Sequence, residues 1–216
     1  MRLLLIRHGE SSANAEGRIQ GHLDIPLSDA GRRQSQALAE RVAALNIDAL
    51  YTSPLQRARQ TAGPLAAKLE LSPQQRDGLM ERDVGALEGL TRKDILERFP
   101  EYVRARTAGR PFDLPGYESD VIFNKRVELV TSEIIQAHPG ETVAAITHGG
   151  VIAAMCRRTL QMPTVRPGPF AIDNCSITVF DVRHGDTGGA PVRPRVQLLS
   201  LNDTCHLDGL GNERPA

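Results

Sequence analysis

The chain has 216 residues, with 26 lysines and arginines against 26 aspartates and glutamates, so its formal charge is zero. That balance supplies no global field toward nucleic acid or an anionic membrane, and any anion must be bound by locally placed cations. Three widely spaced cysteines (Cys156, Cys175, Cys205) argue against a disulfide framework or a cysteine-rich zinc site and fit a reducing cytoplasm. The apolar run before Arg7 is too short for a signal peptide, and no stretch approaches the ~20 apolar residues of a membrane span.

The length suits one domain, placed at residues 1–208, with a loose tail over 209–216. Leu3 to Ile6 is a continuous apolar run of the kind a buried parallel strand shows. Ser28 is read as the N-cap of a helix carrying Ala37, Leu38, Val42 and Leu45 at helical spacing. Asp48–Tyr51 reads as a second strand. Pro54–Leu69 reads as a helix capped by Ser53, with Gly63-Pro64 predicting a kink or break. Thr91 caps a helix over Arg92–Phe99 that Pro100 closes, and Thr107–Ser119, rich in glycine and proline, is expected to be irregular. A long helix follows, with Val121, Val127, Val130, Ile134 and Ile135 assigned to one face. Thr142–Thr147 is the next buried strand and Gly149–Leu160 the next helix. Ser176–Val182 and Val196–Leu201 read as strands joined by an exposed hairpin loop, His184–Pro194. Strands alternating with helices predict an α/β fold, a three-layer αβα sandwich with a mostly parallel central sheet.

In open α/β sheets, ligands bind beyond the carboxyl ends of the strands. His8 and His148 each fall just past such a strand end, and each precedes glycine (Gly9; Gly149-Gly150), which allows close approach of a ligand to the backbone. Each then runs toward a turn or helix whose free N–H groups suit an anion. Arg7 adjoins His8, and Arg57 lies in the first turn of the helix after the second strand. Two guanidiniums and two imidazoles at one sheet edge suit a phosphate, since forked guanidinium donors match phosphoryl oxygens.

With these residues in view, the chain resembles the histidine phosphatase superfamily, the phosphoglycerate-mutase-like fold. The resemblance rests on Arg7-His8-Gly9-Glu10-Ser11 with Asn14 downstream, Gly21-His22-Leu23-Asp24-Ile25-Pro26-Leu27-Ser28, and Tyr51-Thr52-Ser53-Pro54-Leu55-Gln56-Arg57-Ala58. It continues in Glu81-Arg82-Asp83-Val84-Gly85-Ala86-Leu87-Glu88-Gly89 and Thr147-His148-Gly149-Gly150. These motifs stand in family order across residues 3 to about 180.

The resemblance implies His8 as a nucleophile forming a phosphohistidine and Glu81 as the acid and base, with Glu88 a competing candidate. It implies Arg7, Arg57 and His148 as holders of the equatorial oxygens, Asn14 as a further donor, and Gly21, His22 and Gly149 at the substrate. No metal or organic cofactor is called for, because the arginines supply the positive charge. Asn202-Asp203-Thr204-Cys205-His206-Leu207 and Asp173-Asn174-Cys175-Ser176 resemble segments of broad and metal-independent phosphoserine phosphatases, which places His206 toward the substrate. Val84 departs from the polar residue such enzymes carry there and counts against phosphoserine itself.

The short distance from Glu81 to His148 favours a phosphatase over a mutase, which generally has longer insertions there. The implied partner is a small-molecule phosphate ester, with no nucleic acid or membrane partner; a homodimer is compatible with the resemblance. A phosphoglycerate mutase and a phosphoprotein- or phosphohistidine-recognising regulatory module are the competing readings.

Overall fold

The computed structural model describes residues 1–110, 112–163, 168–183 and 194–210. In chain order the elements are β1 (Arg2–Arg7), α1 (Ser12–Ala15), α2 (Asp29–Ala43), β2 (Ala49–Thr52), α3 (Gln56–Leu69) and β3 (Gln74–Gln75). They continue through α4 (Arg92–Arg98), α5 (Pro100–Thr107), α6 (Asp120–Ala137), β4 (Thr142–Thr147), α7 (Gly149–Thr159), β5 (Ile177–Arg183) and β6 (Arg195–Asp203). The expected hairpin loop His184–Pro194 lies, except for Pro194, outside the described residues, as does all but Gly209 and Leu210 of the expected tail.

The strands form one sheet in the order β3-β2-β4-β1-β5-β6. β1 pairs in parallel with β4 and antiparallel with β5; β2 pairs in parallel with β4 and with β3. Side chains alternate between the two faces of a strand, and both faces here are covered. Leu3, Leu5, Val143 and Ala145 pack with Ile134 and Met155 of α6 and α7. Leu4, Ile6, Ala144 and Ile146 pack with Leu38 and Leu65 of α2 and α3. That double burial is why these strands read as unbroken apolar runs. The three-layer, mostly parallel architecture expected from the sequence is the one observed.

Several local expectations fail for identifiable reasons. α3 is not interrupted at Gly63-Pro64. Ala58, Ala62 and Leu65 stay buried on both sides of the proline, and this packing offsets the lost backbone hydrogen bond. Ser53 does not cap α3: the helix starts at Gln56 with Leu55 at the cap position and no side-chain bond, and Ser53, two residues earlier, turns its hydroxyl to Leu55 N and to His148. Pro100 does not merely end a helix; it sits in the first turn of α5, where its missing N–H costs nothing. Val121 is 80 % exposed. The buried face of α6 runs through Phe123, Val127, Val130 and Ile134, roughly 120–180° from Val121 at 100° per residue. Cys156 and Cys175 are buried, while Cys205 is exposed and does not pack.

α4, α5 and the segment leading into α6 form a smaller cluster around Leu87, Ile95, Tyr102 and Leu114. These elements stand over the C-terminal edge of the sheet and wall a cleft there. No helix among the described residues is long and apolar enough to cross a membrane.

Candidate active site

Parallel pairing of β1 with β4 sets Arg7 opposite Thr147, so His8 and His148 leave adjacent strands at the same edge. Their rings lie 5.0 Å apart, centroid to centroid, and both are buried. His8 Nδ1 donates to its neighbour Gly9 O at 2.7 Å. A carbonyl only accepts, so a neutral ring keeps its Nε2 lone pair unengaged. Burial, reinforced by the cations Arg7 and Arg57, pushes the His8 pKa well below the ordinary histidine value. The ring is therefore neutral at physiological pH.

The loop carrying His8 is fastened on several sides. Gly9 N donates to Thr61 Oγ1 of α3 at 2.9 Å and Glu10 N to Gln34 Oε1 of α2 at 2.8 Å. The Glu10 carboxylate accepts from Ser28 Oγ at 2.6 Å, so Glu10 orients the loop. The glycines serve this packing. A Cβ on Gly9 would lie 2.7 Å from Gly31 O, so close approach at Gly9 is to α2 rather than to a ligand.

His148 occupies the N-cap of α7. Its Nε2 lies 2.8 Å from Ser53 Oγ, and that hydroxyl already accepts from Leu55 N. Ser53 has its O–H available for Nε2, and where it donates there a neutral ring carries its proton on Nδ1. Burial, with His8 and the two arginines adding to it, holds the His148 pKa well below the usual value.

Arg57, on the first turn of α3, is buried and fixed by Gly21 O (Nη2, 2.8 Å) and Leu23 O (Nη1, 2.7 Å). Burial lowers its pKa to about 10, leaving it cationic at neutral pH. Arg7 donates through Nη1 to Ile172 O at 2.6 Å. After these contacts, Arg7 Nε, Arg57 Nε and His148 Nδ1 remain buried with no hydrogen-bond partner among the described residues. Three orphaned N–H donors beside the His8 ring call for an acceptor that the described residues do not supply.

Asn14 joins them with a defined orientation. Its Oδ1 accepts from Ser11 N at 3.2 Å and from Asn174 Nδ2 at 3.3 Å, so its NH₂ end is the one left for the cleft. Asn174 also donates to His8 O at 3.0 Å. The site is incomplete without it, yet sequence reasoning gave it no role. Its loop is tied by a reciprocal pair: Asp173 N to Asn202 Oδ1 at 2.6 Å, and Asn202 Nδ2 to Asp173 Oδ2 at 2.8 Å.

Glu81 reaches the cleft from the loop before Gly85–Leu87. Its Oε2 accepts from Gly150 N at 2.9 Å and its Oε1 from Arg82 N at 2.8 Å. The N-terminus of α7 therefore holds an anion as expected, but that anion is the chain's own carboxylate. Gly150 permits this, since a Cβ there would lie 2.1 Å from Glu81 Oε1. The Glu81 carbonyl is clamped by His22 Nε2 (2.7 Å) and Arg126 Nη2 (3.1 Å).

Arg7, His8, Asn14, Gly21, Arg57, Glu81 and Gly149 all line one cleft of about 440 Å³, with His148 buried beneath it. Two expected contacts are not brought there. The His22 ring is spent on the Glu81 backbone, and Glu88 holds His22 N through Oε1 at 2.6 Å. His206 is half-buried away from the cleft wall, near Asp203 and the Cys175 backbone.

The two depressed histidines make stability depend on pH with a definite sign. An unfolded histidine takes up its proton near pH 6.5, whereas His8 and His148 resist it when folded. Their contribution is complete above about pH 6.5 and is lost as the pH falls below that value toward their folded pKa values. Urea midpoints are expected to drop between pH 7.5 and 5, and less steeply in His148→Asn. Equal slopes in the two proteins would contradict the assignment of that drop to this pair.

The profile of the histidine phosphatase superfamily (branch 1) matches residues 3–189. A protein named phosphoglycerate mutase-like protein 4, from Arabidopsis thaliana, is 36 % identical over 85 % of this chain and 80 % of its own length. A metal-independent phosphoserine phosphatase from the same plant is 36 % identical over 97 % of this chain and 84 % of its own length. Among solved structures, a mutant of phosphoserine phosphatase from Entamoeba histolytica in complex with phosphoserine superposes with a TM-score of 0.82 at 29 % identity. That match covers 95 % of this chain and 98 % of the other.

Proposed function

The chain belongs to the histidine phosphatase superfamily, and from that premise we propose that it is a metal-independent phosphomonoesterase acting on a small phosphorylated metabolite. His8 Nε2 attacks phosphorus in line, the bond to the ester oxygen breaks, and Glu81 gives that oxygen a proton. Water then attacks the phosphohistidine, Glu81 takes its proton, and inorganic phosphate leaves. Arg7, Arg57, His148 and Asn14 hold the equatorial oxygens, where charge stabilisation does most of the work in phosphoryl transfer. The arginines supply the positive charge that a metal ion provides elsewhere.

The observation that carries this reading is the trio of buried, unpartnered donors, Arg7 Nε, Arg57 Nε and His148 Nδ1, gathered around a neutral His8. The relatives' printed names support the substrate class, since phosphoserine is a small phosphate monoester. The setting we propose is cytoplasmic, with the enzyme working as a monomer or a homodimer. A screen of phosphate release over a broad panel of small esters, with chelator present, is expected to find turnover that chelation leaves intact. Failure on every ester, or loss of turnover on chelation, would overturn the proposal. Isomerisation of a phosphoglycerate outpacing phosphate release would favour the mutase reading that one relative's name brings forward.

A further inference from the structure

Glu81 follows a short 3-10 turn, Asp77–Leu79, and lies in neither a helix nor a strand. Backbone carbonyls in such a stretch need donors from elsewhere, and here side chains supply them to four residues in a row. Arg126 of α6 donates through Nη1 to Gly78 O at 3.0 Å and Met80 O at 2.8 Å, and through Nη2 to Glu81 O at 3.1 Å. Thr147, the last residue of β4, donates through Oγ1 to Leu79 O at 2.7 Å. His22 shares the Glu81 carbonyl. A Cβ on Gly78 would lie 2.5 Å from Val130 Cβ, so this glycine lets the segment press directly on α6.

The rest of the Arg126 guanidinium is spent on Glu118, with Nε to Oε1 at 2.9 Å and Nη2 to Oε2 at 2.6 Å. All five N–H donors of the group thereby meet a protein acceptor. Glu118 is itself tied to the acid-bearing segment, its backbone N donating to Asp83 O at 2.9 Å. The Glu118 carboxylate balances the charge of Arg126 where it stands, and Arg126 does not line the cleft. Its contribution is the placing of three carbonyls, made without touching a ligand.

We propose that Arg126, braced by Glu118, is a positioning residue for the acid: it sets the main chain from which Glu81 reaches the leaving oxygen. The inference rests on Glu81 being the proton donor of the reading above. A general acid works only within hydrogen-bond reach of the atom it protonates, and a displacement of about 1 Å can cost roughly 10²-fold. Gly150 N and Arg82 N hold the carboxylate at one end of the residue. Arg126 holds the backbone at the other.

The test compares kcat/KM, which reports the steps through cleavage of the ester bond, for propyl phosphate and for p-nitrophenyl phosphate, whose leaving oxygen departs without a proton. Arg126→Lys keeps the charge and loses the fork. It is expected to lower kcat/KM about 10–100-fold on propyl phosphate and less than about threefold on p-nitrophenyl phosphate. In a Glu81→Gln background the same substitution is expected to cost less than about threefold on either ester, since a residue acting through Glu81 has no acid left to position. Glu118→Gln, which weakens the brace, is expected to show the same pattern at smaller size. Arg158→Lys, an exposed α7 position paired with Glu128 of α6, is expected to change neither ester.

An equal effect of Arg126→Lys on the two esters, none included, would overturn the positioning role and leave Glu81 as the acid. So would an undiminished loss in the Glu81→Gln background. If Arg126→Lys does not fold, Glu118→Gln decides by the same two criteria. A Glu81→Gln loss that is itself uniform across the esters removes the acid assignment and this inference together. No turnover of either ester in the unmodified enzyme removes the phosphatase reading as well.

Discussion

Replacing His8 with alanine is expected to lower kcat for phosphate release by at least about 10⁴-fold, the scale seen when a covalent nucleophile is removed. Among the described residues of the cleft, the ring combines neutrality, a lone pair not committed to the protein, and a position among orphaned donors. Water can replace it as attacking group, but water is not held by Gly9 O and must be positioned anew in each turnover. The arginines remain, so inorganic phosphate should still bind to the variant. That combination, binding kept and turnover lost, separates a missing nucleophile from a collapsed site. Turnover within about tenfold of the unmodified enzyme, with circular dichroism unchanged, would contradict the role given to His8.

Glu81→Gln is the second large effect, expected at about 10²–10⁴-fold in kcat on alkyl phosphates. Glutamine keeps the size of the side chain and an oxygen acceptor for Gly150 N, but it cannot deliver or take a proton. The loss should shrink for an ester with an acidic leaving group such as p-nitrophenol, wherever transfer to His8 limits the rate, because that oxygen departs without protonation. The sensitivity to leaving group is what a purely structural role for Glu81 does not produce. A uniform loss across leaving groups would contradict it. So would a small loss in Glu81→Gln beside a large one in Glu88→Gln, which would move the acid to a residue now seen bonded to His22 N.

The main strands were legible because each is buried on both faces, which writes a continuous apolar run into the sequence. The residues proposed to bind phosphate were legible for a related reason: they stand at the ends of those strands or in the first turn of the next helix. Residues that act through a distant partner were not. Ser53 looks locally like a helix cap, and nothing in its neighbourhood announces a histidine 95 positions away. Asn174 enters the site only because β5 runs antiparallel to β1, which brings the start of β5 to the end of β1.

His22 and Gly9 sit inside recognised motifs, yet one clamps the Glu81 backbone and the other makes room for α2. A motif marks that a position is constrained, and only packing tells which atom constrains it. The helix α5 was hidden by Pro100, since a proline that ends one helix and one that begins the next look alike in sequence.

The central claim is that phosphoryl transfer passes through a covalent bond to His8. The most direct measurement is to mix Glu81→Gln, in which release of the phosphoryl group is slowed, with a labelled ester of an acidic alcohol, quench in alkali and locate the label by peptide mapping. The account predicts a phosphoryl group on the peptide containing His8, stable in alkali and labile in acid as a phosphoramidate is, and absent when His8 is also replaced. Label on another residue, or burst-free turnover with no labelled protein at any quench time, would contradict it.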